Sequence, residues 1–168
     1  MVRVFLGPQI NIEVCLTLEA DTLVRVSLFS APGFSVTADT KSPTFDKAVV
    51  WLEHYIKGQD HPFDLPLPEM KFSRDVIEFL RTIPRGTVFS YQQVAQAVGN
   101  KKAARAVGNI CRTNQFPLFI PCHRVIKTSG EIGRYTPDPS LKSQLLYFEG
   151  VVDTAAGGVS CATADCST

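Results

Sequence analysis

Ser90-Tyr91-Gln92-Gln93-Val94-Ala95-Gln96-Ala97-Val98-Gly99-Asn100-Lys101-Lys102-Ala103-Ala104-Arg105-Ala106-Val107-Gly108-Asn109-Ile110-Cys111-Arg112 reads as two short helices joined by a tight turn. Ser90 stands three residues before Gln93, the spacing at which a Ser hydroxyl and a Gln side chain each accept from the other residue's amide and cap a helix start. A helix from Tyr91 through Val98 is predicted. Gly99-Asn100 supplies the turn, and a second helix is predicted over residues 101–112. Two helices about a Gly-containing turn form a helix-turn-helix candidate, although other helical hairpins share these elements. Composition adds to the pattern. Ala103, Ala104, Ala106 and Gly108 are small, while Lys101, Lys102, Arg105 and Arg112 are basic. A helix without bulk can lay its backbone close to another surface, either a phosphate-lined groove or a neighbouring helix.

Upstream, Phe72, Val76, Ile77, Phe79 and Leu80 mark a helix that Pro84 and Gly86 stop. Residues 58–68 carry three prolines and no helical period, which makes them a connector. Before it, Phe45, Val49, Leu52 and Ile56 define an amphipathic helix. The first 30 residues alternate apolar and polar in three short runs, over 2–6, 12–16 and 23–28, as an antiparallel β-meander does. The chain is therefore expected to be of mixed α/β (α+β) class. Residues 1–66 would form a supporting β-sheet lobe with a helix, and 67–152 a mainly helical domain. Residues 153–168, rich in Ala, Gly, Ser and Thr, are expected to be a disordered tail.

At 168 residues and 45 % hydrophobic, the chain can bury a core as one domain or as two small ones sharing an interface. The net charge of +1 conceals a strong asymmetry: residues 71–135 hold 11 Lys and Arg against 3 Asp and Glu, while both flanks are acidic. A basic middle segment of this kind tracks phosphates or forms a solvated face. The five cysteines, at 15, 111, 122, 161 and 166, lack the even framework of a small secreted domain and read as free thiols. The N-terminal apolar run is too short for a signal peptide, and no stretch reaches membrane-spanning length. An intracellular protein, in cytoplasm or nucleus, is expected.

Ile120-Pro121-Cys122-His123-Arg124-Val125 sets a thiol beside an imidazole in an apolar run. A free thiol has a pKa of ~8.5 and attacks as thiolate, so a neighbouring base matters. His123 can take the proton directly or through a water. A cysteine in an apolar run is more often an inert small hydrophobe.

Taken together, the span from Phe63 to Gly150 resembles the O6-alkylguanine-DNA alkyltransferases, also called methylated-DNA–protein-cysteine methyltransferases. Phe63-Asp64-Leu65-Pro66-Leu67 is similar to that family's interdomain segment, and Ile83-Pro84-Arg85-Gly86 with Ser90-Tyr91 to its helix-turn-helix entry. Ala104-Arg105-Ala106-Val107-Gly108 resembles its recognition helix, Asn114 its hinge asparagine, and Pro121-Cys122-His123-Arg124-Val125 its active-site signature. The resemblance implies a ribonuclease-H-like N-terminal lobe and direct DNA repair without a cofactor or metal. An alkyl group would pass from guanine O6, and from thymine O4, to Cys122, once per molecule. The implied partner is double-stranded DNA carrying the lesion, bound through the minor groove by a monomer with no membrane association.

The resemblance also implies roles. Glu149 polarises His123, which draws the proton from Cys122 through an ordered water. Tyr91 donates to the base as it leaves. Asn114 ties the recognition helix to the active-site strand. The carbonyls of Cys122 and Val125 accept from the guanine amino group, and Tyr135 and Thr136 form the facing loop. Because the target atom is out of reach in stacked DNA, the base is flipped out and Arg105 fills the gap. Lys101, Lys102 and Arg112 are phosphate-contact candidates, and Ala103, Ala104 and Gly108 line the close approach to DNA. Arg134 and Thr136-Pro137-Asp138-Pro139 depart from the family's pattern of a smaller residue before this tyrosine and glycines after it. Two other readings are a non-catalytic damage-binding or regulatory module, and a Cys-His hydrolase, for which no peptidase signature is present.

Overall fold

The computed structural model describes residues 1–135, 138–151, 153–154 and 158–159. Its N-terminal part is a four-stranded sheet of β1 (Val2–Gly7), β2 (Ile12–Glu19), β3 (Thr22–Ser30) and β4 (Phe34–Ala38), followed by helix α1 (Pro43–Ile56). The strand order is β1-β4-β2-β3, so the expected meander is not formed. β2 and β3 pair as an antiparallel hairpin, but β4 inserts between β1 and β2 and runs parallel to β2. Alternation in sequence assigns faces to a strand and leaves its partner open, and Phe34-Ser35-Val36-Thr37-Ala38 is short enough to pass for loop. Its burial gives it the central place: Phe34, Val36 and Ser35 have no exposed surface. The approach requires Gly33, at φ +72°, where a Cβ would lie 2.5 Å from the Phe5 ring.

Ile12, Val14 and Leu16 on β2 and Phe45, Ala48, Leu52 and Tyr55 on α1 belong to one buried cluster. The Ser42 side chain accepts from the Phe45 amide and Pro43 opens the first turn, so α1 begins with its free amides partly satisfied.

After the connector come α2 (Lys71–Thr82), β5 (Phe89–Ser90), α3 (Tyr91–Ala97), α4 (Ala104–Arg112), a single 3-10 turn (Cys122–Arg124), β6 (Val125–Ile126) and α5 (Pro139–Phe148). The capping box at Ser90 forms as the sequence predicts, with both reciprocal hydrogen bonds present. α4 starts three residues later than predicted. Gly99 takes φ +83°, Asn100 Oδ1 accepts from the Lys102 amide and the Asn100 carbonyl accepts from the Ala103 amide. Those bonds hold Lys101 and Lys102 in the turn ahead of the helix. β5 and β6 pair in parallel, Phe89 with Val125 and Ser90 with Ile126, which joins the start of α3 to the turn holding Cys122.

The expected disordered tail opens instead with a short antiparallel pair, β7 (Asp153–Thr154) with β8 (Gly158–Val159). The rest of that tail, Cys161 and Cys166 included, lies outside the described residues, as does Thr136. Among the described residues no helix is long and apolar enough to cross a membrane.

Replacing Ser90 by Ala removes the acceptor for the Gln93 amide and is expected to lower stability by about 1 kcal/mol in a denaturant titration.

Candidate active site

Asn114 follows the C-terminus of α4 and fixes what comes after it. Its side-chain amide donates to the Ile120 carbonyl and to Cys122 Sγ, both at 3.1 Å, while its Oδ1 accepts from the Phe116 amide at 3.0 Å. The intervening Phe116, Leu118, Phe119 and Ile120 are buried. One asparagine therefore anchors both ends of an apolar segment and points a donor at the thiol. Cys122 itself is 3 % exposed.

His123 is fully buried, its Nε2 2.8 Å from Glu149 Oε1. Its Nδ1 has no hydrogen-bond partner among the described residues. Glu149 caps the end of α5 and gathers three donors besides His123. Arg124 Nε donates to Oε2 and its Nη2 to Oε1, each at 2.9 Å, and the Tyr55 hydroxyl donates to Oε1 at 2.7 Å. Arg124 also donates to the Ile83 carbonyl and to Asp60 of the connector. Burial alone would raise the Glu149 pKa, but His123 and Arg124 outweigh it and hold the carboxyl well below its usual range. The Arg85 guanidinium lies 5.0 Å over Tyr55 and 4.7 Å over Phe148, and it closes this cluster from α1 to α5.

In front of the thiol is a cavity of about 420 Å³ lined by Tyr91, Gly108, Cys111, Arg112, Asn114, Cys122, Tyr135 and Lys142, with Lys127, Gly133 and Arg134 on its wall. Burial pushes the Tyr91 hydroxyl up to about 12, followed by the influence of Cys111 and Cys122, so it stays a donor. Tyr135, also buried, is raised further for the same first reason. Burial raises the Cys122 thiol too, opposed by the Asn114 hydrogen bond, the Lys142 charge and the Tyr135 hydroxyl. At rest the thiol keeps its proton, with three groups arranged to favour the anion once the proton leaves.

The structure thus brings Cys122, Asn114, Tyr91, Tyr135, Gly108 and Arg112 to one cavity, while His123 and Glu149 are buried outside its lining. Arg105, Lys101, Lys102, Ala103 and Ala104 are not in its lining. Arg105, Lys101 and Lys102 are exposed, and Ala103 and Ala104 are half-buried, around the start of α4. Val125 is fully buried, and its carbonyl already accepts from Lys142 Nζ at 2.5 Å. The Cys122 carbonyl accepts from the Val125 amide. Each oxygen has a second lone pair, so a further donor meets an acceptor that is already engaged.

Sequence reasoning missed Lys142, Tyr55 and Asp60, and gave Arg124, inside the Cys122 signature, no role of its own. Lys142 lines the cavity, its pKa brought down to about 8 by burial against the pull of Cys122 and Cys111. A lysine among the leucines of an apolar helix face, Leu141-Lys142-Ser143-Gln144-Leu145, was the available signal. A larger, open groove of about 910 Å³ by Trp51, His54, His61 and Phe63 has no cysteine in its lining.

Comparison with known proteins agrees with this geometry. Residues 71–151 match the family model for the 6-O-methylguanine DNA methyltransferase DNA-binding domain. The constitutive methylated-DNA–protein-cysteine methyltransferase of Bacillus subtilis is 37 % identical over 118 residues, covering 68 % of this chain and 72 % of that protein. The methylated-DNA–protein-cysteine methyltransferase of Homo sapiens is 38 % identical over 113 residues, 62 % of this chain and 55 % of that one. A crystal structure of Mycobacterium tuberculosis OGT in complex with DNA superposes with a TM-score of 0.66 at 31 % identity, covering 80 % of this chain and 85 % of that one. Through these matches the chain belongs to the methylated-DNA–protein-cysteine methyltransferase family. It spans about half the length of the mammalian relatives it matches.

Because the Glu149 pKa is lowered on folding, its ionisation stabilises the fold fully above the ordinary carboxylate value of 4.5, and that stability is lost as pH falls below it. Glu149→Gln is expected to flatten the acid branch of a stability–pH curve below pH 4.5, measured by thermal unfolding, relative to the unsubstituted protein.

Proposed function

We propose that this chain repairs DNA by moving an alkyl group from guanine O6 in a flipped-out base to Cys122 Sγ, irreversibly and once per molecule. The observation that carries this reading is a thiol in the lining of a cavity, hydrogen-bonded to Asn114 and next in sequence to a His123–Glu149 pair whose free ring nitrogen is buried. Nδ1 takes the thiol proton through a water, and Glu149, held in place by Arg124, stabilises the imidazolium that results. The thiolate attacks the alkyl carbon, the carbon–O6 bond breaks, and its electron pair stays on the guanine, where the Tyr91 hydroxyl donates to the developing charge. The thioether is too poor a leaving group for water to regenerate the thiol. No cofactor enters the scheme. Thymine O4 presents the same alkoxy carbon and is the second substrate atom.

We read α3 and α4 as a helix-turn-helix that binds duplex DNA from the minor groove, with the small residues at 103, 104, 106 and 108 permitting close approach. Arg105, exposed on α4, fills the space the flipped base vacates. Lys101, Lys102 and Arg112 contact phosphates, and Tyr135, Thr136 and the Val125 carbonyl hold the base. The protein acts as an intracellular monomer, in cytoplasm or nucleus. Residues 1–66, of ribonuclease-H-like type, support residues 67–152.

Incubation with O6-methylguanine duplex followed by peptide mass spectrometry is expected to place one methyl group on Cys122 and none in Cys122→Ser. Label on another cysteine, or none, overturns the reading. Arg105→Ala is expected to slow repair of duplex DNA at least about tenfold while leaving reaction with the free modified base near its original rate. Equal loss on both substrates counts against the flipping role.

A further inference from the structure

Tyr55 sits on α1, 94 residues before Glu149 in sequence, yet its hydroxyl is 2.7 Å from Glu149 Oε1. That oxygen also faces His123 Nε2 at 2.8 Å and accepts from Arg124 Nη2 at 2.9 Å. The tyrosine is 1 % exposed. Burial first, then the Glu149 charge, holds its hydroxyl well above its ordinary range, so it is a permanent donor. Its ring stacks on Trp51 at 5.7 Å and lies 5.0 Å from the Arg85 guanidinium. A phenylalanine would fill the same space; the oxygen adds a bond to the carboxylate that serves the imidazole.

We infer that Tyr55 is a positioning residue for thiol activation, its hydroxyl orienting Glu149 and drawing off part of the carboxylate charge so that His123 remains free to take the Cys122 proton. The inference rests on the alkyl-transfer reading above. A carboxylate that accepts several hydrogen bonds divides its charge among the donors. The more charge stays on Oε1, the more tightly the neighbouring imidazole keeps a proton it has accepted, so each further donor to that oxygen tempers the pair. The charged and titratable groups around the pair are Arg124 from the 3-10 turn, Asp60 from the connector and Arg85 from the loop after α2; Lys142, Cys111 and Tyr135 bear on the Cys122 thiol. Tyr55 is the contribution of α1, so the N-terminal part enters the chemistry as well as the packing.

Tyr55→Phe keeps the ring and deletes the donor. Two pH profiles are to be measured on the full chain: methyl transfer from an O6-methylguanine duplex, and modification of Cys122 by iodoacetamide, in which Sγ displaces iodide, read from the Cys122 peptide. The expected result is that the acid side of both profiles moves to higher pH by about half a unit, a roughly threefold loss of rate at a fixed pH on that limb, with duplex affinity unchanged. Replacement of Tyr55 by 3-fluorotyrosine, a stronger donor in the same shape, is expected to move both profiles to lower pH. Profiles of unaltered shape, whether or not the rates fall uniformly, would overturn the inference. A protein that never methylates Cys122 refutes the alkyl-transfer reading, and the iodoacetamide profile then still decides the role of Tyr55.

Discussion

A single buried carboxylate holds the halves of this molecule in register. Glu149 accepts from His123 and Arg124 on the turn that carries the nucleophile and from Tyr55 on the helix packed against the N-terminal sheet. A buried carboxylate without partners costs several kcal/mol, and removing one partner of such a pair costs about as much again. The fold is therefore obliged to bring α1, the 3-10 turn and the end of α5 to one point. Arg124 extends the constraint to the Ile83 carbonyl and to Asp60, so the proline-rich connector is fastened to the same centre. The groups that make His123 a usable base are the groups that hold the chain together there.

The thiol is controlled by a second balance. Burial keeps Cys122 protonated, which shields the thiol from stray electrophiles. Asn114, Lys142 and Tyr135 reduce the cost of the anion without removing the proton. Under the proposed alkyl transfer, the thiolate exists mainly during the proton transfer to His123, when an occupant of the cavity would exclude bulk water and strengthen every local charge interaction.

How much of this could be read in the sequence differs by element. The helices were legible because their signals are local: Ser90 and Gln93 cap each other, Ser42 and Pro43 open α1, and the apolar spacing of α2 has no rival. The sheet order was not, since the parallel pairing of β4 with β2 is decided by burial of a five-residue strand that carries no turn signal of its own. The start of α4 was misplaced because the Asn100 side chain competes for the amides that a helix would use. At the site, Cys122 and His123 declare themselves by adjacency, whereas Glu149, Asn114 and Tyr91 were found only through resemblance to known relatives. Tyr55 and Lys142 escaped both routes. Each looks like an ordinary residue of an amphipathic helix, and its meaning comes from a partner on a distant element.

The two-residue parallel pair of β5 with β6 sets the distance between the first turn of α3, which carries Tyr91, and the turn that carries Cys122. Backbone hydrogen bonds thus calibrate two walls of the cavity, and side-chain motion has little leverage over them. Room for a wider occupant has to come from Gly133-Arg134-Tyr135, lining residues that belong to no strand or helix. The width of this pocket is in that sense a property of one loop, separable from the groups that bear on the thiol.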